Sequence, residues 1–596
     1  MIHNRYIGIA TMVAGMFAAV SCSEKSDYND VPVDSSVASA NQTLWQTIEQ
    51  NQRLSGFKTL LQQAGFDTEL QKSRAYTVWA PEDGTYNLAD YQSLSKENLL
   101  KEVIKSHVAE YNHLASGSVE EQIKALNEKT FIFHGNGNYT YDGHDVVQPN
   151  VPSTNGIIHI INGMATFRPS LYEYLRVGTG IDKLRDHFLR YEITTLDEKK
   201  SVKGPVVDGM QTWMDSVMVT TNEQTNRYHG YIEREDSSYT MIVPTDKAFQ
   251  SYYDKVYPTT MFVNKIVGYD YERMAGPTDT ASTSLKSITI ADVPYLRDSL
   301  TRREIVRHLF YSNNDEYNKW LVGTGNNTDT LRTTMRWKFS NPTDLLTTYR
   351  VGTPMAMSNG LAYIVDSLAF YPWETYNREK WVNPRSYTAK LFAGVEHSSA
   401  DQIISSEVVL DSVFGKDRTF DSYRYLWVDS GGDYTKPEIM IAIPDVRATK
   451  YNFYVVYLPS AWKIFGNDPR PNWLNFQLHY CNAKGNTQTY NFSTSMAEYE
   501  KNGETGTKPK YPTKVDGTTA FINDPNKTDT LFIGSFQFPV SYDEAVTGDV
   551  FPLLHITTPI GVFNKAQKAK YSRDLRIAAI IVKPVELDEF EKNNLK

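Results

Sequence analysis

Cysteine is almost absent: Cys22 and Cys481 are the two in 596 residues. That excludes a disulfide-stapled scaffold and a cysteine-rich zinc site. A dense basic run is missing too. With 61 Lys and Arg against 70 Asp and Glu the formal charge is −9, which argues against nucleic-acid binding, since neutralising phosphates needs clustered cations. Beyond residue 20 no segment approaches the roughly 18 consecutive apolar residues of a membrane-spanning helix. The nucleotide, zinc-protease, serine-hydrolase and calcium-loop motifs do not occur. Gly135-Asn-Gly137 and Gly178-Thr-Gly180 lack the strand–turn–helix context of a phosphate loop and read as turns. No catalytic residue, cofactor or metal is therefore expected. Aromatic and apolar residues are plentiful: 39 Tyr, 26 Phe and 10 Trp within a 40% hydrophobic chain. Wholesale disorder is excluded, and the length suits about three to five domains.

The N-terminus reads as an address. Arg5 precedes the apolar stretch from Ile7 to Val20, and Ala19-Val20-Ser21-Cys22 resembles a bacterial lipobox. That resemblance implies cleavage after residue 21 and a lipidated Cys22, whose several acyl chains would anchor the protein stably. Residues 23–39 are polar, acidic and aperiodic, a tether reaching roughly 20–25 Å. The acidic residues after Cys22 resemble the export signal of Bacteroides-type lipoproteins, implying the outer face of the outer membrane. Seven Asp-Ser/Thr-apolar triplets, Asp215-Ser-Val217 and Asp366-Ser-Leu368 among them, resemble the glycosylation sequon of such exported proteins.

A pattern occurs twice. Tyr76-Thr-Val-Trp-Ala-Pro-Glu-Asp83 matches Tyr239-Thr-Met-Ile-Val-Pro-Thr-Asp246, each a short strand closing on a turn. A helix ending in His107 matches one ending in His308, the latter with Thr301-x-x-Glu304 spaced as a capping box. Asn155-Gly-Ile-Ile-His-Ile-Ile-Asn162 matches Asn359-Gly-Leu-Ala-Tyr-Ile-Val-Asp366, a tight turn feeding a strand. His107 to Asn155 spans 48 residues and His308 to Asn359 spans 51. Pro81 to His107 is 26 but Pro244 to His308 is 64, so the second copy carries an insertion near 252–296. Phe57, Leu60, Leu61 and Ala64, with Gly65 behind them, predict a helix before the first copy; Ile181, Leu184 and Phe188 predict one before the second. His107 and His308 fall on the apolar helix faces and read as buried structural histidines.

These landmarks resemble the fasciclin domain over residues 40–373. Copy two keeps the family pattern in Thr240 to Phe249, whereas copy one has Gly84-Thr-Tyr86 where Ala-Phe is usual. The resemblance implies compact α/β units used in adhesion and matrix binding without catalysis. Glu110-Tyr-Asn-His113 loosely resembles the family's Tyr-His adhesion motif.

Beyond residue 373 strands dominate. Tyr451–Leu458 is β-branched and aromatic, and Leu474, Phe476, Leu478 and Tyr480 alternate with Asn475, Gln477, His479 and Cys481. Further strands are expected at 423–428, 438–443, 487–492, 530–538, 552–557 and 575–582. The alternation puts Cys481 on the polar face, exposed or packed by a loop. The expected class is multidomain α/β plus all-β: a signal peptide (1–21), lipidated Cys22 and tether (22–39), fasciclin-like domains at 40–170 and 171–373, and an antiparallel, jelly-roll-like β-sandwich at 374–596.

Trp462 and Trp473 flank a turn-rich loop bearing Asn467, Asp468 and Arg470. Exposed indoles stack on sugars while such polar neighbours read hydroxyls, so this loop is the candidate ligand site; the alternative is that the indoles fill a core. The expected role is a surface lipoprotein without enzymatic activity. It would be an accessory subunit of a starch-utilisation-type uptake complex, with a TonB-dependent transporter and its lid lipoprotein, recognising glycan or peptide. The alternative is an adhesin binding host matrix or neighbouring cells.

Overall fold

The computed structural model describes residues 41–594 except 200, 271–284, 341, 385–388, 394, 397–409, 412–423, 493–512 and 516–517. The leader, Cys22 and the tether lie outside the described residues. Residues 41–170 with 234–236 form one compact unit, and 171–233 with 237–594 form another. Among the described residues no helix is long and apolar enough to cross a membrane.

In the first unit, helix Ser55–Ala64 buries Phe57, Leu60, Leu61 and Ala64 and stops at Gly65, whose φ of 72° is left-handed. Strand β1 (Tyr76–Pro81) is buried at every position, as a strand covered on both faces must be. Six more strands follow: β2 (Val108–Glu110), β3 (Ser118–Lys124), β4 (Thr130–Asn136), β5 (Asn138–Tyr141), β6 (His144–Ser153) and β7 (Gly156–Ile161). They join in the order β2-β1-β7-β6-β5-β4-β3. β1 and β7 run parallel, Tyr76 opposite Gly156 through Pro81 opposite Ile161.

The repeated residues have repeated jobs. Asn155 accepts the Leu44 N–H through Oδ1 (2.8 Å) and donates Nδ2 to the carbonyls of Leu70 and Lys72. Asn359 accepts the Leu171 N–H (2.9 Å) and donates to the Ile232 carbonyl (2.7 Å). Each carboxamide thus satisfies an orphan donor at the start of its copy's first helix. Gly156 (φ 151°) and Gly360 (φ 148°) sit so tightly that a Cβ would lie 2.0 and 1.7 Å from the carbonyl oxygens of Tyr76 and Tyr239. The turn aspartates cap the next helix. Asp83 accepts the Ser55 and Gly56 N–H groups, and Asp246 accepts that of Lys183.

In the second unit, helix Asp182–Leu189 buries Leu184 and Phe188. A two-stranded arm follows: β8 (Glu192–Leu196), β9 (Val202–Val207), β10 (Met210–Asp215) and β11 (Met218–Asn222), with β8 on β11 and β9 on β10. Next come β12 (Tyr239–Pro244), helix Asp246–Val256, β13 (Lys265–Asp270), β14 (Leu285–Thr289), helix Val293–Val306, β15 (Phe310–Ser312), β16 (Thr330–Arg332), β17 (Lys338–Ser340), β18 (Met355–Met357) and β19 (Gly360–Val365). β12 and β19 run parallel from Tyr239 opposite Gly360 to Pro244 opposite Val365, the register of the first copy.

The Thr301-x-x-Glu304 expectation is corrected. The helix starts earlier, where the Asp292 side chain accepts the Tyr295 N–H (2.9 Å). Thr301 lies mid-helix, buried, with its hydroxyl on that of Thr260 (2.9 Å). The insertion supplies the added turns.

Beyond residue 373 the strands expected from the sequence form, within one or two residues at most ends. Lys450–Tyr457 pairs antiparallel with Asp529–Gln537 and Leu575–Pro584 in one sheet. Leu553–Thr557 pairs with Glu438–Ala442 and Trp473–Cys481 in the other. Phe453, Val455, Ile533 and Ile577 of the first sheet share a core with Ile439, Phe476, Leu478 and Ile556 of the second. The insertion enters that same core through Phe262, Ile266 and Ile290, joined by Leu300 of the helix that follows. β13 continues onto Val550–Phe551, and Tyr269 packs with Met440, Ala442 and Leu553. This covering explains Cys481, which the alternation put on the polar face: the thiol is buried, and burial raises its pKa.

Candidate functional site

The loop singled out from the sequence does not present two indoles. Trp462 keeps 36% exposure, with its Nε1 donating to the Asn526 carbonyl (3.0 Å). Trp473 is 8% exposed and packs against Ile560 and Tyr571, so its ring is core and cannot stack on a sugar. Asp468 and Arg470 meet, but they satisfy each other: the carboxylate takes Arg470 Nε (2.9 Å) and Nη2 (3.0 Å), and Nη1 goes to the Lys568 carbonyl (2.7 Å). Burial would raise the Asp468 pKa, yet the hydrogen bonds from Arg470 hold it below its ordinary value. Asn467 takes a left-handed φ of 53° at the turn, which asparagine tolerates. The freer aromatic faces are those of Tyr434 (77% exposed) and Phe563 (79%), 5.8 Å apart edge to face. They lie near Arg470 through the Lys568–Asp433 ion pair (2.9 Å). Nothing in the local sequence marks them, because they sit on loops distant along the chain.

The repeated histidines are structural. His107 is fully buried, with Nδ1 on the Trp79 carbonyl (2.6 Å) and Nε2 accepting the Ala165 N–H (3.1 Å); burial lowers its pKa to about 4. His113 bridges Glu121 (2.7 Å) and the Glu110 carbonyl (3.1 Å). Among the described residues no group of three or more His, Cys, Asp or Glu could hold a metal ion.

Among the described residues, charged side chains gather in a cleft of about 700 Å³ in the second unit. Arg227, Arg303, Arg307, Arg378, Lys380 and Arg447 line it, against Asp445, Asp543 and Glu544. Behind them Glu304 is fully buried. It takes Arg447 Nη2 (2.6 Å) and pairs with Arg307, while Arg303 bonds Asp543 (2.6 Å). Burial would lower the Arg303 pKa and raise that of Asp543; their mutual attraction reverses both shifts.

The remaining cations are less well matched. Burial lowers Lys380 to about 8; Asp445 and Glu304 oppose the shift, while Arg447 and Arg378 add repulsion. Burial and Arg307 lower Arg378 to about 9. Burial, opposed by Glu304, lowers Arg307 to about 10. Trp337 is held between the guanidiniums of Arg307 (3.8 Å) and Arg378 (3.1 Å). The sequence carried one signal of this cleft, Arg303-Glu-Ile-Val-Arg307, whose i, i+4 arginines share a helix face with the glutamate beside them. Its other members come from separate segments.

The arm is the second feature that sequence reasoning passed over. Ile193, Val202, Val206, Val207, Met210, Met214 and Met218 are 47–73% exposed, and Asp208-Gly209 makes the tip with φ of 51° and 80°. The period-2 rule anticipates one buried face, but here apolar side chains stay open along the ribbon.

A fasciclin-domain family model matches residues 52–165. Among solved structures the chain is similar to a FAS1 domain pair from the insect cell adhesion molecule fasciclin I. The identity is 13% and the TM-score 0.19, over 54% of this chain and 98% of that one. No curated protein matches the chain. Residues 52–165 are thus a fasciclin domain, of a kind generally found in adhesion or binding proteins.

Proposed function

We propose that this protein is a non-enzymatic binding lipoprotein, held on the outer membrane through Cys22 and displayed outward. In this reading residues 171–373 are a second fasciclin-like domain and residues 374–596 a jelly-roll-like β-sandwich. The protein serves as an accessory subunit of a nutrient-uptake complex, docking on a TonB-dependent transporter and its lid lipoprotein and recognising glycan or peptide.

The arm carries this reading. A two-stranded ribbon with no core behind it is marginal in water, and a cluster of exposed Val and Met marks an interaction surface. At about 3.3 Å per residue, β8 and β9 together extend roughly 35 Å, far enough to reach into a partner. A protein suits the arm better than a bilayer does. Insertion into lipid would carry Asp208 deepest, at a cost of about 2.5–3.5 kcal/mol at the membrane centre, and would leave the ribbon's outer edges without hydrogen-bond partners. A protein cleft can pair those edges and accept the adaptable methionines.

Replacing residues 203–214 by a short Gly-Ser turn should leave the rest of the chain folded and abolish recovery of the transporter and lid lipoprotein with the tagged protein from gently solubilised outer membranes. Equal recovery with the shortened arm removes this docking mode. Recovery of the intact protein alone leaves the adhesin reading, which rests on the fasciclin domain and predicts retention on immobilised matrix.

A further inference from the structure

The cleft holds more positive charge than its own carboxylates match. Six cations face it against three lining acids, with Glu304 as a fourth behind them; Arg227 is paired with Glu223 (2.9 Å), which leaves five cations against four acids in a chain whose formal charge is −9. Stability alone does not account for that surplus, because burying a charge without a partner is costly. The unmatched donors are specific atoms. Arg447 is 7% exposed, and its Nη1 has no hydrogen-bond partner although Nη2 is spent on Glu304. Tyr228, 1% exposed, lines the cleft with an unpartnered hydroxyl. Arg378 donates Nη2 to the Glu374 carbonyl (3.1 Å) and leaves Nε unused. The Lys380 ammonium has no hydrogen-bond or ion-pair partner among the described residues.

We propose that this cleft binds a small ligand carrying two or more oxyanion groups, each a carboxylate, sulfate or phosphate. Stacking on Trp337 fixes the planes of Arg307 and Arg378, and a guanidinium held by its face offers its N–H edge to an oxyanion. Arg447, locked by Glu304, keeps its second nitrogen buried and unpartnered in the cleft lining, and Lys380 supplies a point charge. A volume of about 700 Å³ exceeds the need of one inorganic anion and suits a ligand of disaccharide size. An incoming anion would return the depressed pKa of Lys380 and Arg378 toward their ordinary values, so binding should weaken with salt and above about pH 8, where Lys380 loses its proton.

The inference goes beyond the docking reading and does not depend on it, since the purified full chain without membrane partners can be titrated calorimetrically. Three probes suffice: a di-uronic acid, the corresponding neutral disaccharide, and sodium sulfate. The di-uronic acid should bind at least tenfold more tightly than the neutral sugar. Lys380→Gln should weaken it about tenfold with an unchanged thermal midpoint, because the ammonium holds no structural contact, and Lys380→Arg should restore it. Arg378→Gln should weaken it similarly. Sulfate binding as tightly as the di-uronic acid, with the same loss in Lys380→Gln, overturns the two-group ligand and leaves a site for one free anion. No heat from either anionic probe at millimolar concentration, or equal binding by wild type and both Gln variants, overturns the proposal.

Discussion

Asn155 and Asn359 each tie separate chain segments together with a single carboxamide, so the two copies repeat hydrogen bonds as well as letters. This part of the fold was readable in the sequence because each job needs one residue type. The tight turn needs Gly, the helix start needs a side-chain acceptor, and the strand between needs apolar side chains. Glu304 shows where such reading stops. Its spacing from Thr301 mimics a cap, and only the arginines brought from elsewhere reveal it as the buried centre of a cleft. The histidines carry a testable consequence. His107 and His159 are fully buried, and burial lowers each to about 4. Between pH 6.5 and 4 the unfolded chain therefore binds protons that the folded one refuses. Stability is fully present above 6.5 and is lost as pH falls, by up to about 3 kcal/mol per group. Urea unfolding of the first unit should shift to lower midpoints from pH 7 to 4.5. His107→Gln, which keeps a donor and an acceptor, should flatten that slope; an unchanged slope would remove the assignment.

At the scale of elements, periodicity located the strands beyond residue 373 because their partners are regular. It failed where a foreign element covers a face. Asn475, Gln477, His479 and Cys481 read as a solvent side, yet β13 of the insertion lies across that region, and Tyr269 meets His479 at 5.4 Å edge to face. The arm was missed for the opposite reason: it has no core, so its sequence has no face to betray. Cys481 reports on the insertion directly. Its thiol should resist a soluble disulfide reagent in the native protein. Ile266→Ala, which empties a fully buried site of the same core next to Val267, whose backbone meets the thiol, should destabilise by about 2–5 kcal/mol and speed labelling of Cys481 at least tenfold. Labelling as slow as wild type would mean that the hairpin does not guard the thiol.

Over the whole of the second unit, the insertion changes what counts as a folding body. The second copy of the repeated pattern places Phe262, Ile266, Ile290 and Leu300 in a core shared with the strands beyond residue 373. Its backbone is tied there too, the Met261 carbonyl accepting the Ser541 N–H (2.6 Å) and that of Thr259 accepting the Ala448 N–H (2.9 Å). Its helix keeps Glu304 buried against Arg447. Cutting at 373 would expose four large apolar side chains and leave that carboxylate short of a partner, a combination that costs several kcal/mol. Against a total stability of about 5–15 kcal/mol, that loss is decisive. A fragment of residues 171–373 should therefore melt far below the same residues within 171–594, or aggregate on expression, whereas 171–594 should unfold in one cooperative transition followed by Trp fluorescence and calorimetry alike. An isolated 171–373 fragment with the melting temperature of the longer chain would show that the shared core is a docking contact, not a condition of folding.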